Sequence, residues 1–175
     1  MSSWQWKPAI VFVISMLLLD LAAAQSQPTV PQSGDPSDQL STVYVPPNNF
    51  SFQEVYELLR QHNALEKIKE ILSPFRFTEQ TTECGAVNSY YQRKNFKPTV
   101  TICYEFLKRI LELLPNDTTP AGLTPTDAAV GQFFWVTFHE VGHAAFDIFN
   151  VPIFGHEEDA ADNFATFIIL QFGKG

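Results

Sequence analysis

Apolar positions recur along the chain in two rhythms. From Ser51 on, Phe52, Val55, Tyr56, Leu58 and Leu59, then Leu65, Ile68, Ile71 and Leu72, follow at three- and four-residue steps, the period of a helix with one buried face, and Pro74 closes the run. The rhythm then shortens. Phe75 and Phe77 alternate with Arg76 and Thr78, and Thr99 to Tyr104 (TVTICY) is rich in β-branched residues, so strands are expected on either side of a polar loop that carries the cysteines. Glu105 to Leu114 returns to helical register with Phe106, Leu107, Ile110, Leu111, Leu113 and Leu114, and ends at Pro115 before a Thr/Pro/Gly-rich connection. A strongly apolar helix is expected from Asp127 to about Phe149, capped by Thr126 or Asp127. A loop with Pro152 and Gly155 follows, and then a second helix from Glu157 whose apolar side is Phe164, Ala165, Phe167, Ile168 and Leu170. The predicted class is α+β, a small sheet packed on the long helix with the last helix returning beside it.

The N-terminal part belongs to no such element. Lys7 precedes an apolar run, Pro8 to Leu19, and Ala22-Ala23-Ala24 follow, the three regions of a secretory signal over residues 1–24 with Gln25 as the first mature residue. An uncleaved anchor is the alternative, but the run is short for a bilayer. Residues 25–49 are rich in Gln, Ser, Pro and Thr and are expected to form a flexible tether, which leaves residues 50–175 as one domain. Asn49-Phe50-Ser51 and Asn116-Asp117-Thr118 match the glycosylation acceptor pattern. Export changes the reading of the two cysteines. In an oxidising compartment Cys84 and Cys103 have only each other, and a bond across that loop contributes about 3 kcal/mol in the chain-entropy model; free buried thiols are the alternative. A formal charge of -8, from 11 Lys and Arg against 19 Asp and Glu, repels phosphate backbones and anionic lipid. It argues against nucleic-acid binding and against stable membrane association once the signal is removed.

The long helix carries candidate chemistry. His139-Glu140-Val141-Gly142-His143 places two imidazoles one turn apart on one face, where both can reach a single Zn²⁺, and sets the Glu140 carboxylate beside the ion instead of on it. Glu140 is there the candidate general base and acid, because zinc lowers the pKa of a water and a nearby carboxylate can relay its proton to a leaving amine. A third ligand is needed. Glu158 completes a His₂Glu site, one zinc per chain, and Asp162, four residues on, can bond the far nitrogen of a ligand histidine. Glu157 competes with Glu158, which is preferred because it alone has an acid four residues on. An acidic first turn that complements the helix dipole accounts for at least one of Glu157, Glu158 and Asp159. Gly142 either lets a strand or substrate approach or serves helix packing. His156 lies in the loop and is expected to be solvated, and His62 has no neighbouring chemistry. Tyr90, Tyr91 and Tyr104 are candidate oxyanion donors whose commoner role is core or surface packing. Phe146 and Phe149 stand where a metzincin needs glycine and histidine, which excludes that branch.

With Cys84-Gly85-Ala86-Val87-Asn88, Cys103-Tyr104-Glu105, the H-E-x-x-H run and Gly155-His156-Glu157-Glu158-Asp159-Ala160-Ala161-Asp162, the chain resembles a bacterial metallopeptidase-like family of unknown function over residues 50 to 172. The resemblance implies a zincin-like fold of the gluzincin kind, in which H-E-x-x-H is followed by E-x-x-x-D. It implies His139, His143 and Glu158 as zinc ligands, Glu140 as catalytic acid/base and Asp162 behind a ligand. Members continue with a further helical portion containing cysteines, so this chain, stopping at Gly175, reads as a C-terminally truncated domain. The leading reading is a secreted zinc metallopeptidase acting on protein or peptide, with an extended substrate paired to a strand near Thr99 to Tyr104. A noncatalytic zinc- or peptide-binding module and a zinc hydrolase of non-peptide amides or esters are the alternatives.

Overall fold

The computed structural model describes residues 39–114, 117, 119 and 121–172. The signal segment, most of the tether and the acceptor residues Asn116 and Thr118 lie outside them.

The α+β expectation holds. Four strands, β1 (Ser41–Tyr44), β2 (Thr78–Thr82), β3 (Ser89–Lys94) and β4 (Lys97–Cys103), form one sheet in the order β1-β2-β4-β3. The first three in that order run parallel, and β3 closes the edge antiparallel to β4. Among the described residues five α-helices accompany it: α1 (Gln53–Gln61), α2 (Ala64–Leu72), α3 (Tyr104–Leu113), α4 (Pro125–Ile148) and α5 (Glu157–Phe172). Leu59, Leu65 and Ile68 from α1 and α2, Val100 and Ile102 from β4, and Phe133 and Val141 from α4 meet in one core, each almost wholly removed from water. No helix among the described residues is long and apolar enough to cross a membrane.

Three local differences from the sequence reading have physical causes. The periodic run from Ser51 to Leu72 is two helices, because Asn63 turns the chain in the left-handed region (φ 49°), which asparagine tolerates better than most residues. Strand β1 lies inside the stretch read as tether. Leu40 is buried there and the Tyr44 hydroxyl accepts from Leu65 N–H (2.8 Å) while donating to Glu66 (2.9 Å), so a few residues with core contacts were hidden by the polar average around them. Helix α4 begins two residues before Asp127: Thr124 is the N-cap, Pro125 the first helical residue, and Asp127 closes a capping box by accepting from Thr124 N–H (2.9 Å).

The expected disulfide is present. Cys84 and Cys103 are bonded, with Cα atoms 5.5 Å apart. Glu105, at the start of α3, accepts from Cys84 N–H (3.0 Å) and Gly85 N–H (2.6 Å), which ties the loop before β3 to the end of β4. Strand β3 is thereby delivered to the free edge beside α4.

Candidate metal centre

Helix α4 presents Trp135, His139 and His143 at four-residue steps, hence on one face. Helix α5 meets it at the same level because nothing intervenes at Gly142: a Cβ there would lie 3.1 Å from Ala161 Cα and 3.4 Å from the Cβ atoms of Ala161 and Phe164. Of the two roles open to Gly142, the structure shows helix packing, and α5 is the close neighbour. Its first turn is carried to the histidines as a result.

There the ring nitrogens converge. His139 Nε2 and His143 Nε2 are 3.2 Å apart, and Glu158 Oε2 stands 3.2 Å from the first and 3.5 Å from the second. On the far side of each ring a carboxylate accepts from Nδ1: Asp162 from His139 and Glu157 from His143, both at 2.8 Å. An ionised carboxylate can only accept, so each Nδ1 carries a proton, and in a neutral ring the Nε2 then keeps its lone pair. Two lone pairs and a carboxylate oxygen therefore face one point at contact distance. In that tautomer the arrangement becomes favourable when a cation lies among the three atoms. The donor set fits a metal ion, and His139, His143 and Glu158 can hold one.

The competition between the adjacent acids has a geometric outcome. Glu158 faces the nitrogens and Glu157 buttresses His143, a role that composition attributed to the helix dipole. Two candidate ligand histidines would each need an orienting partner, and counting those needs would have pointed to a second acid besides Asp162. His156 is exposed in the loop and stays out of the cluster, as does His62.

Glu140 lies beside the cluster and is only 6% exposed. Burial raises its pKa above the ordinary carboxylate range, partly opposed by the Ser89 hydroxyl, which donates to Oε1 at 2.9 Å. Ser89 was invisible to sequence reasoning, since a lone serine in a polar stretch carries no signal. It comes from β3, whose alternate residues all reach α4: Ser89 to Glu140, then Tyr91 and Arg93 to Asp147, the latter with Nε 2.6 Å from Oδ2. Asp147 is held below the usual carboxylate range by those two donors, Arg93 first.

A cleft of about 620 Å³ opens here. Asn88, Ser89 and Tyr90 form one wall, Phe106, Trp135 and Val136 an apolar one, and His139, Glu140, His143 and Glu158 line the cleft with them. The strand that borders it is β3. Strand β4, expected to offer a pairing edge over Thr99 to Tyr104, is bonded on both sides, to β2 and to β3, so that expectation is corrected. Among the candidate oxyanion donors, Tyr104 is a core tyrosine that donates to Val45 C=O (2.7 Å), and the Tyr91 hydroxyl is engaged by Asp147. Only Tyr90 of the three has no such bond among the described contacts and lines the cleft with Tyr91.

The DUF4344 family, described as "Putative metallopeptidase", has a model that matches residues 44–175, and the chain belongs to that family. No curated protein and no solved structure matches it.

Proposed function

We propose that this DUF4344 member is an exported zinc-dependent peptidase in which His139, His143 and Glu158 hold the ion and Glu140 is the general base and acid. The observation that carries the reading is the convergence of His139 Nε2, His143 Nε2 and Glu158 Oε2 beside a buried carboxylate. A tetrahedral zinc with bonds of about 2.0–2.1 Å has ligand-to-ligand edges of about 3.3 Å, close to the 3.2, 3.2 and 3.5 Å separations present. A nitrogen-rich set also disfavours calcium and magnesium, which take oxygen ligands.

When bound, zinc would polarise the scissile carbonyl and make a water acidic enough to deprotonate near neutrality. The remaining work falls to the chain. Glu140 accepts a proton in the cleft and returns it to the departing amine, a relay that a partly desolvated carboxylate performs better than a solvated one. Asp162 and Glu157 keep both ligand rings in one tautomer and orientation. The free edge of β3 offers backbone N–H and C=O groups to an extended peptide, while Phe106, Trp135 and Val136 supply an apolar wall for a side chain. Protein or peptide is the substrate class. The N-terminal signal pattern supports export, and the disulfide suits an oxidising compartment.

The test is metal content by mass spectrometry on the chain from Gln25 onward, with His139→Ala and Glu158→Ala beside it, and a casein or peptide-library digest on the same samples including Glu140→Gln. One zinc per chain, lost in both alanine variants, with cleavage that Glu140→Gln abolishes, is the expected result. Stoichiometric zinc with no cleavage would favour the noncatalytic module. A folded chain that takes up no zinc would refute the reading.

A further inference from the structure

The hydrogen bond from Ser89 to Glu140 joins two parts of the cleft that have separate tasks. Ser89 begins β3, the edge strand that borders the cleft, and Glu140 is on α4 between the two histidines. The Ser89 hydroxyl, half-buried, lies 2.9 Å from Glu140 Oε1. The backbone of Tyr91, two residues along the same strand, lies near enough to bear on this carboxylate as well. A glutamate has three rotatable side-chain bonds, so a carboxylate on a helix needs external donors to be held in one orientation.

The strand does not depend on this bond for its place. It pairs with β4 along all six residues, from Ser89↔Ile102 to Lys94↔Lys97. It is also fastened to α4 one strand pitch further on, where Tyr91 and Arg93 both reach Asp147. The Cys84–Cys103 bond and the Glu105 carboxylate hold the approach to it. A hydroxyl that is redundant for holding the strand, yet donates to the one buried carboxylate in the cleft, is placed to act on that carboxylate.

We propose that Ser89 is a positioning residue: its hydroxyl fixes Oε1 of Glu140, so that the strand bordering the substrate cleft also aims the base. This rests on the peptidase reading for its consequence in turnover, though not for the contact itself. The inference also says why β3 is fastened to α4 at Asp147. Drift of the strand along the helix would turn the base with it.

The variants are Ser89→Ala, Ser89→Thr and Ser89→Val, the last two being a near-isosteric pair that differs in the hydroxyl and stands in for the first should alanine impair folding. In the zinc-loaded chain, Ser89→Ala and Ser89→Val should lower kcat about tenfold with KM and zinc content unchanged, and Ser89→Thr should stay within about threefold of wild type. A second readout uses the metal-free chain labelled with ¹³C at glutamate side-chain carboxyls, where the Glu140 resonance is the one missing in Glu140→Gln. It should move in Ser89→Ala and Ser89→Val and stay in place in Ser89→Thr. Wild-type kcat in Ser89→Val, or a loss in KM alone, with the resonance unmoved, would overturn the proposal. A wild-type chain that cleaves nothing while the resonance still follows the hydroxyl would sink the peptidase reading and leave the hold on Glu140 standing.

Discussion

Burying Glu79 is costly to the fold, and its cost depends on pH. It sits in β2, registered against Val100 of β4, with its side chain wholly buried. Neither carboxyl oxygen has a hydrogen-bond partner; the Thr137 hydroxyl of α4 is beside it but outside bonding geometry. Tyr44 lies near enough to feel a charge on Glu79, and that phenol is itself held neutral by burial well past its ordinary range. Desolvation therefore dominates and pushes the Glu79 pKa from 4.5 to about 8. Because the folded state holds this proton more tightly than the unfolded chain, stability is complete below the unfolded pKa and is lost as pH rises toward the folded one. With 1.36 kcal/mol per pH unit, the loss between about pH 5 and pH 8 is roughly 3 kcal/mol, and little more follows above pH 9. Glu79→Gln keeps the shape and cannot ionise.

Thermal unfolding of the two proteins from pH 5 to pH 9, with chelator present so that metal release does not contribute, isolates the effect. Other titrating groups cancel in the difference, and so does the fixed cost of burying an amide. The Tm of Glu79→Gln should gain on wild type by on the order of 10 °C across that range. Parallel curves would show that Glu79 does not enter the folded state as a neutral acid, and the argument from burial would fall.

Gly142→Ala should destabilise by about 1–3 kcal/mol and weaken metal binding, since its Cβ would meet Ala161 backbone at 3.1 Å and push α5 with Glu158 away. Gly131→Ala in the same helix, where no atom lies within 4 Å of the new Cβ, should instead gain up to about 1 kcal/mol; denaturant midpoints and zinc titration of the pair read both effects. Glu157→Gln and Asp162→Asn should each weaken zinc binding by about 10–100-fold with the fold intact, measured by competition with a chromophoric chelator; equal affinity in either would remove that acid from behind its histidine. Replacing Cys84 and Cys103 together by serine should cost about 3 kcal/mol in urea unfolding, and an unchanged midpoint would mean that the unfolded chain is already compact there.

How far the sequence foretold this structure depended on whether a local pattern carried the tertiary fact. Helices α3, α4 and α5 were legible because each has apolar residues at helical spacing, and α3 and α4 are followed by Pro115 and by a loop with Pro152 and Gly155. The candidate metal cluster has the same kind of signal: His139 with His143, and Glu158 with Asp162, are each four residues apart, and helical periodicity alone places such pairs on one face. Strand β2 shows the opposite. Thr78–Thr82 holds no aliphatic residue, so it carries no alternation, yet Glu79 and Thr81 in it are fully buried. Strand β3 went unread because its hairpin turn is Asn95-Phe96, both with positive φ, in place of the Asn-Gly that announces such a turn. Phe96 there is also 91% exposed, so its apolar character pointed to no core position.

The missed strand matters more for function than the elements that were read. Without β3 the sequence supplies two histidines, an acid and a nearby carboxylate on a pair of helices, which is enough to hold a metal. With it, those groups acquire a wall, an edge that can take an extended chain, and a hydroxyl on the carboxylate between the ligands. The residues that could bind an ion are fixed within helices, whereas those that would make it act on a peptide come from contacts 51 to 56 residues apart in sequence. Side chains at such separation share no period, and only the disulfide and the hairpin that position β3 bring them together. Metal binding in this chain should therefore survive damage to β3 that lowers turnover: Arg93→Ala with Tyr91→Phe removes the side-chain fastening to Asp147 while the pairing with β4 and the candidate ligands stay in place, so zinc titration should read wild-type affinity beside a reduced kcat.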